Sequence, residues 1–367
     1  MREATVSIPA LTKRIDLNVG YSCNMKCRFC YYLNDVKARS RDKDLSTQEC
    51  KRLIVYYRRK GMEVLEFTGG EPTIRPDLCE LAQFAGQAGF RRISIITNGV
   101  RLADAEYAQR LVASGVKDFL FSLHGSKPQT HDFVTCLPSS YDRLIHAIRN
   151  LIKLGVRVRC NSVVTGSTLE DIYARARLFK ELEVQTVNFI MFNPIEQAVC
   201  AQEENFFRYS QVVSHLNAVI DDFAGAFKKL TFRYIPLCLM KGHENHVQNV
   251  HQVHYDHDEW DYYLRTRIRQ PYWVWCGAMA VGSALLPGKR QWSAWGPDHL
   301  RHAAILEAHS WLHKHKFPQC RRCSYGFICG GVWKQYARRF GGDELVAQEG
   351  SLILPPWHFM TDNQRAA

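Results

Sequence analysis

Apolar residues in the first half of the chain recur with two different periods. Short runs that alternate apolar with polar residues, or are apolar throughout, predict strands at 14–20, 64–67, 92–97, 117–123, 156–164 and 186–192. Between the strands, apolar residues spaced three and four positions apart predict amphipathic helices at 47–59, 76–88, 104–114, 141–154 and 169–181. Strands that alternate with helices are typical of a parallel α/β sheet. A complete eight-fold barrel needs about 250 residues, so we predict a partial (β/α)6 TIM-like barrel.

This alternation stops near residue 195, which predicts three parts. Residues 1–215 would form the partial barrel, 216–270 a connecting helical segment, and 271–367 a small C-terminal domain. The connecting segment contains five histidines without a clear ligand set, and we interpret them as part of a polar helix rather than a metal site: His243, His246, His251, His254 and His257. The alternative is that they line the substrate pocket.

Three cysteines follow the first predicted strand in a C-x3-C-x2-C spacing: Cys23, Cys27 and Cys30. Three thiolates this close in sequence can ligate three irons of a [4Fe–4S] cube and leave the fourth iron open for chemistry. The total of 13 cysteines is odd, and no secretory signal is expected, so a disulfide framework is disfavoured. A zinc site would need a fourth ligand nearby, and the next cysteine is Cys50. We therefore predict an iron–sulfur cluster.

A second motif, Gly69-Gly70-Glu71-Pro72, follows the second predicted strand. With Phe29 before the last cysteine of the triplet, the two motifs resemble those of the radical S-adenosylmethionine enzymes. The resemblance implies that a [4Fe–4S] cluster and S-adenosyl-L-methionine are cofactors, and that Phe29, Gly69, Gly70 and Glu71 contribute to cofactor binding. It also implies that an electron from a low-potential donor such as flavodoxin or ferredoxin cleaves the cofactor. The resulting 5′-deoxyadenosyl radical would abstract hydrogen from a substrate.

Polar residues cluster where the predicted strands end. Ser122 and Asn161 lie at such positions, as do Asn98 and His124, all on the same rim as the cysteine loop. In members of the family that the chain resembles, residues at these positions contact the ribose and carboxylate of the cofactor. The alternative is that they cap helices or shape turns. We predict cofactor contacts for Ser122 and Asn161 in particular.

A second cysteine group, Cys320, Cys323 and Cys329, has a C-x2-C-x5-C spacing and is followed by two glycines. A four-cysteine zinc site is one interpretation. The arrangement also resembles the C-terminal SPASM/twitch extension of radical enzymes, which implies an auxiliary iron–sulfur cluster. Too few cysteines remain for two further clusters, so we predict one auxiliary [4Fe–4S] cluster.

The fourth ligand of that cluster is either Cys276 or Cys238. We favour Cys276, because it opens a segment, 276–288, that has the character of a β-hairpin ending in a Pro-Gly turn, as in the twitch pattern. Cys238 would then be a catalytic hydrogen donor, or a buried core residue. The remaining cysteines are interpreted as buried small apolar residues: Cys50, Cys79, Cys136, Cys160 and Cys200.

Composition narrows the function only slightly. The net charge of +12 allows a nucleic-acid partner, but no nucleic-acid-binding motif accompanies it, so that partner is not favoured. No apolar run approaches the roughly 20 residues of a membrane-spanning helix, and many reduced cysteines predict a cytoplasmic protein. We predict a radical S-adenosylmethionine enzyme, of oxidoreductase or transferase type, that acts on a ribosomally made peptide. The alternatives are oxidation or epimerisation of a sugar or small metabolite, nucleoside or nucleic-acid modification, and a non-enzymatic iron–sulfur binding or sensing module.

Overall fold

The computed structural model describes residues 8–30, 44–194, 202–259, 261, 272–287 and 289–365. The chain separates into two compact units. One is Ile15–Ile235, which we call the barrel unit, and the other combines Met1–Arg14 with Pro236–Ala367, which we call the cysteine-rich unit. Cys200, which we predicted to be a buried small apolar residue, lies outside the described residues.

The barrel unit is built on a sheet whose strands follow one another in chain order. Strands β2 to β7 pair in parallel, and β1 lies beside β2. This confirms the predicted partial TIM-like barrel. The strands are β1 (Arg14–Asn18), β2 (Val64–Thr68), β3 (Arg92–Thr97), β4 (Val116–Ser122), β5 (Arg157–Val164), β6 (Thr186–Met191) and β7 (Lys229–Arg233).

The structure adds strand β7 to the strands that the sequence predicts. It lies inside the segment 216–270, for which we predicted helix, and all five of its residues are buried. Leu230 and Phe232 supply its outward apolar positions, while the ends of the strand carry Lys229 and Arg233. A five-residue strand with a charged residue at each end shows only a weak apolar pattern in the sequence. Its two basic residues are nevertheless buried, because long basic side chains can bury their apolar stems.

Helices on the outer face of the sheet bury one apolar stripe each. Helix α1 begins at Ser46 with a capping box, in which the Ser46 and Glu49 side chains each accept from the other residue's backbone N–H. The helices of this unit are α1 (Thr47–Arg59), α2 (Leu78–Gln87), α3 (Ala105–Ala113), α4 (Pro128–Thr135), α5 (Ser140–Lys153), α6 (Ile172–Glu181) and α7 (Tyr209–Phe223). Helix α4 was not predicted, and α7 overlaps the predicted helical segment 216–270 only from residue 216 onward.

A buried ionic network fills part of the barrel interior. Arg159 on β5 donates to Glu66 on β2 and to Asp118 on β4, each at 2.6 Å. All three side chains are fully or almost fully buried. Because a buried charge is costly unless it is paired, these contacts fix the strands that carry them. The polar residues discussed below lie further toward the carboxyl ends of the strands.

The cysteine-rich unit is mostly helical in its second half. Its elements are β8 (Val247–Gln248), α8 (Tyr272–Leu285), α9 (Lys289–Trp295), α10 (Pro297–His313), β9 (Lys314–His315), β10 (Val332–Trp333) and α11 (Lys334–Phe340). Strands β9 and β10 pair antiparallel. None of the helices in the described ranges combines the length and apolar character that crossing a membrane requires.

Two local predictions for this unit are wrong. The segment that starts at Cys276 is not a hairpin but part of helix α8, and a Cβ atom on Gly282 would lie 1.7 Å from the carbonyl oxygen of Ala304. Small residues in α8 therefore allow it to pack closely on α10. The hairpin was predicted because small residues are also typical of turns. The histidine-rich segment is not a helix either. It forms short 3-10 turns at Glu244–His246 and Val253–Tyr255 and buries His254.

Candidate active site

The two glycines of the Gly-Gly-Glu segment lie directly against the cysteine loop. Gly70 N–H donates to the Gly20 carbonyl, and Glu71 N–H donates to the Ser22 carbonyl, each at 2.8 Å. A Cβ atom would lie 2.3 Å from the Gly20 oxygen if placed on Gly69, and 2.1 Å from the Ser22 oxygen if placed on Gly70. Real Cβ atoms do not approach that closely, so only glycine lets these two backbones meet. The contact fixes the cysteine loop against the segment after β2.

The three cysteines of this loop are free thiols, and they are close enough for the charge of one thiolate to raise the pKa of another. Burial raises the pKa of Cys23 to about 11, and burial with the neighbouring Cys30 and Cys23 raises the pKa of Cys27 further. In the described residues, no three histidine, cysteine or acidic side chains are spaced to hold one metal ion. A [4Fe–4S] cube offers a separate iron to each thiolate, so its ligands need not converge on one point. The donor set fits such a cube.

Cys136 lies beside this loop, which the sequence did not predict. Lys26 N–H and Arg28 N–H donate to the carbonyls of Thr135 and Val134, at 3.2 and 2.9 Å. Cys136 is the residue after Thr135 and has a φ of 53°. The negative charge of its thiolate helps to raise the pKa of Cys27. Its interpretation as a buried core residue is wrong, because it is exposed. Cys79 is only half-buried, whereas Cys50 and Cys160 are buried as expected.

The Glu71 side chain is fully engaged inside the protein. Its carboxylate accepts from the Thr73 amide and hydroxyl, from the Thr97 hydroxyl and from the Asn98 amide, at 2.6 to 3.0 Å. Burial raises its pKa above the ordinary value, against the effect of these donors. Asn98 in turn donates from Nδ2 to Asn24 in the cysteine loop at 2.7 Å. Glu71 therefore ties the ends of β2 and β3 to each other.

Phe29 packs its ring against His124, with the two ring centroids 4.7 Å apart. His124 Nδ1 accepts from Val163 N–H at 3.1 Å, and burial lowers the pKa of His124 well below its usual value. The imidazole is therefore neutral, with its proton on Nε2. Phe29 is thus held against the loop that follows β4.

A buried arginine on α6 braces the same rim. Arg175 donates from Nη1 to the Ser162 hydroxyl at 2.7 Å and to the Val163 carbonyl at 3.1 Å, and from Nη2 to the Thr168 carbonyl at 2.8 Å. Burial lowers its pKa to about 10. Sequence reasoning missed this residue, since an arginine in an amphipathic helix looks like an exposed basic side chain.

Ser122, at the carboxyl end of β4, and Asn161, inside β5, occupy neighbouring positions as register partners. Both are partly exposed. Asn161 Oδ1 accepts from Asn188 Nδ2 at 2.9 Å, and Asn188 Oδ1 accepts from the Thr231 hydroxyl at 2.6 Å. The sequence analysis missed both Asn188 and Thr231. Thr231 belongs to the unpredicted strand β7, so the hydrogen bond that it makes to Asn188 could not be foreseen.

The sequence profile of the Radical SAM superfamily matches residues 17–179. That range contains the cysteine loop, the Gly-Gly-Glu segment and both Ser122 and Asn161.

Relatives of known name align with about half of the chain. The chain is 30% identical over 191 residues to a probable GTP 3′,8-cyclase of Saccharolobus solfataricus, covering 52% of this chain and 60% of the relative. It is 33% identical over 172 residues to Fe-coproporphyrin III synthase of Methanosarcina barkeri, covering 47% of this chain and 42% of the relative. The chain therefore spans 60% or less of the length of these relatives.

Solved structures show the same fold. The protein anSMEcpe, with AdoMet and the Cp18Cys peptide bound, aligns over 93% of both chains with a TM-score of 0.55 and 16% identity. Methylornithine synthase (PylB) aligns over 71% of this chain and 80% of that chain, with a TM-score of 0.50 and 17% identity.

Four cysteines lie together in the cysteine-rich unit. Cys238 follows Leu237 in a 3-10 turn, and burial together with the thiols of Cys329, Cys323 and Cys320 raises its pKa to about 12. Cys276 is exposed on helix α8 and is not among the groups that shift the pKa of Cys238. The structure thus brings Cys238 to the C-x2-C-x5-C cysteines, whereas sequence analysis had favoured Cys276.

A buried cation accompanies this cysteine group. Lys314 on β9 places Nζ 3.3 Å from the ring centroid of Trp333 on β10. Burial lowers the pKa of Lys314 to about 7, although the negative charge of the Cys329 thiolate raises it in part. An anionic site at Cys329 would therefore stabilise the charged form of this lysine.

Proposed function

We propose that this protein is a radical S-adenosylmethionine enzyme whose Cys23, Cys27 and Cys30 bind a [4Fe–4S] cluster. When bound, the cluster and S-adenosylmethionine supply a 5′-deoxyadenosyl radical that abstracts hydrogen from the substrate. The observation that carries the proposal is the pair of backbone hydrogen bonds from Gly70 and Glu71 to the cysteine loop. Two motifs that are 39 positions apart in sequence, counted from Cys30 to Gly69, are thereby in contact, as a shared cofactor site requires.

The chain's own residues would act by position. The backbone of Gly69 and Gly70 would line the cofactor site, and Glu71 holds that backbone in place through its contacts with Thr97 and Asn98. Phe29, inside the cysteine loop, packs against His124. Ser122 would contact the cofactor from the end of β4, and Asn161 from a neighbouring position inside β5. A low-potential donor such as flavodoxin or ferredoxin would supply the electron.

The cysteine-rich unit is proposed to be a SPASM/twitch-like domain with one auxiliary [4Fe–4S] cluster. Its ligands would be Cys238, Cys320, Cys323 and Cys329, which supports Cys238 over Cys276 as the fourth. Lys314 would offset part of the negative charge of the thiolates. With this assignment, the boundary between the two functional parts lies at Ile235/Pro236.

The proposed substrate is a ribosomally made peptide. This rests on the resemblance of the C-terminal cysteines to the extension found in peptide-modifying radical enzymes. A nucleotide is the second candidate, and the identity of 30% to a probable GTP 3′,8-cyclase over 191 residues favours it. The net charge of +12 is compatible with that second candidate.

The experiment is anaerobic reconstitution followed by reduction with dithionite in the presence of S-adenosylmethionine, with 5′-deoxyadenosine measured by chromatography. The wild type should form 5′-deoxyadenosine, and the Cys23→Ala/Cys27→Ala/Cys30→Ala variant should not, while the half-buried Cys79→Ala serves as the matched control. An iron–sulfur protein that forms no 5′-deoxyadenosine would instead be a binding or sensing module. Parallel incubations with GTP and with short synthetic peptides separate the two substrate candidates, because only the true substrate is altered.

A further inference from the structure

Four polar residues form one row across strands β4 to β7, from the last residue of β4 to the middle of β7. Ser122 is the register partner of Asn161, Asn161 of Asn188, and Asn188 of Thr231. Register partners in adjacent parallel strands present their side chains to the same face of the sheet. Exposure falls along the row, from the partly exposed Asn161 to Asn188 at 1% and Thr231 at 0%. The row therefore has one end open to a ligand and one end closed inside the barrel.

Hydrogen bonds run along the row in one direction. The Thr231 hydroxyl donates to Asn188 Oδ1 at 2.6 Å, and Asn188 Nδ2 donates to Asn161 Oδ1 at 2.9 Å. Both ends of the Asn188 carboxamide are thus in use. The oxygen of Asn161 is engaged as well, which leaves its Nδ2 group, a pair of N–H donors, for a ligand at the open end.

A carboxamide that lacks such partners can turn over and present its oxygen instead. An oxygen acceptor on a ligand would then meet the Asn161 oxygen rather than its N–H donors, and the hydrogen bond would be lost. Two buried residues that fix the direction of one amide therefore remove an ordering cost from ligand binding.

We propose that Asn188 and Thr231 are positioning residues that hold the Asn161 carboxamide with Nδ2 toward an oxygen atom of bound S-adenosylmethionine. The acceptor is the methionine carboxylate or a ribose hydroxyl. The inference rests on the proposed function, in which Asn161 contacts the cofactor. It extends that site to strands β6 and β7, beyond the residues 17–179 that match the superfamily profile.

The experiment measures equilibrium binding of S-adenosylmethionine to the reconstituted full chain. Thr231→Val removes the hydroxyl at nearly constant shape, and Thr231→Ser keeps it as the matched control. Thr231→Val should raise Kd about tenfold, the loss expected for one misdirected hydrogen bond, whereas Thr231→Ser should stay close to the wild type. Iron content and the rate of 5′-deoxyadenosine formation at saturating cofactor should be unchanged in both.

Asn188→Asp provides a second variant if Thr231→Val fails to fold, because aspartate cannot donate to Asn161 Oδ1 and should also weaken binding. Repeating the titrations with decarboxylated S-adenosylmethionine identifies the acceptor. A weakening that disappears with this analogue assigns the carboxylate, and one that persists assigns the ribose, and either result supports the proposal.

Three outcomes would overturn the proposal. If Asn161→Ala weakens binding but Thr231→Val and Asn188→Asp do not, the positioning role is wrong while the cofactor contact of Asn161 stands. Equal weakening by Thr231→Val and Thr231→Ser would indicate a packing effect instead. If Asn161→Ala itself binds as the wild type does, with iron intact, the proposed cofactor contact fails and the inference fails with it.

Discussion

The Glu71 carboxylate accepts a hydrogen bond from the backbone N–H of Asn98 at 2.7 Å and thereby joins the segments that follow β2 and β3. The same side chain also accepts from Thr73 and Thr97. All of these donors are inside the protein, and Glu71 is 3% exposed. The acidic residue of the Gly-Gly-Glu segment therefore acts as a structural brace for the site.

We predict that Glu71→Gln destabilises the fold by about 2 kcal/mol, the cost of leaving one buried donor without its acceptor. The substituted amide has a single oxygen, and its NH2 group must face either Asn98 or the threonine donors. Denaturant unfolding of the variant and the wild type measures the difference. Glu49→Gln is the matched control, because glutamine also completes the Ser46 capping box, and we expect it to leave stability essentially unchanged. Equal stability of the two variants would show that the brace is unimportant.

A second prediction concerns the contact between Gly70 and the cysteine loop. Gly70→Ala places a Cβ atom 2.1 Å from the Ser22 carbonyl oxygen, so the loop must move away. We expect the variant to lose the iron of the N-terminal cluster, about four of roughly eight irons in the reconstituted protein. Iron and acid-labile sulfide analysis measures the loss.

Gly225→Ala is the control for this substitution, because a Cβ atom there meets nothing within 4 Å. It should retain the iron content of the wild type. A full complement of iron in Gly70→Ala would mean that the cysteine loop does not depend on this close contact.

The sequence predicted the barrel well and the cysteine-rich unit poorly, for physical reasons. Strands β1 to β6 carry enough apolar residues to show their period, and their carboxyl ends bring the motifs to one rim without any knowledge of side-chain contacts. Strand β7 is short and ends in basic residues, so it and Thr231 were missed. Helix α8 was read as a hairpin, because small residues such as Gly282 suit both a turn and a close helix contact.

The fourth cysteine of the auxiliary site illustrates the remaining limit. Spacing alone predicts that Cys320, Cys323 and Cys329 are close, because few residues separate them. Cys238 is more than 80 residues away in sequence, and only the folded chain brings its thiol to theirs. Arg175 was missed for a related reason, since nothing in its helix shows that its guanidinium is buried among backbone carbonyls.

A third prediction separates Cys238 from Cys276. If Cys238 is the fourth ligand of the auxiliary cluster, Cys238→Ala should lower the iron content by about four per chain, since a cube that loses a thiolate is easily lost. Cys276→Ala, an exposed cysteine on α8, should retain all the iron and serves as the control. Intact iron in Cys238→Ala with turnover abolished and 5′-deoxyadenosine still forming would instead identify Cys238 as a hydrogen donor to the substrate.

The fourth prediction concerns acid sensitivity of the cysteine-rich unit. Burial, the nearby His302 and other histidines lower the pKa of His254 to about 3, and burial lowers that of His309 to about 3 as well. An unfolded histidine titrates near 6.5. The stabilisation from these two groups is therefore complete above pH 6.5 and is lost as pH falls toward 3. Between pH 7.5 and 5.5 each should remove about 1 kcal/mol from the free energy of unfolding.

His302 acts in the opposite sense, because Asp261, 3.3 Å away, helps to raise its pKa above the usual value. Its contribution is complete below pH 6.5 and is lost as pH rises through the raised pKa, so it offsets part of the acid effect. Urea unfolding at pH 7.5, 6.5 and 5.5 measures the balance, and His254→Phe should flatten the pH dependence by about half a proton's worth of slope, averaged over that range. His146→Gln, an exposed change on α5, should leave the slope as in the wild type. A slope that is the same in His254→Phe and the wild type would show that His254 is not held neutral by burial.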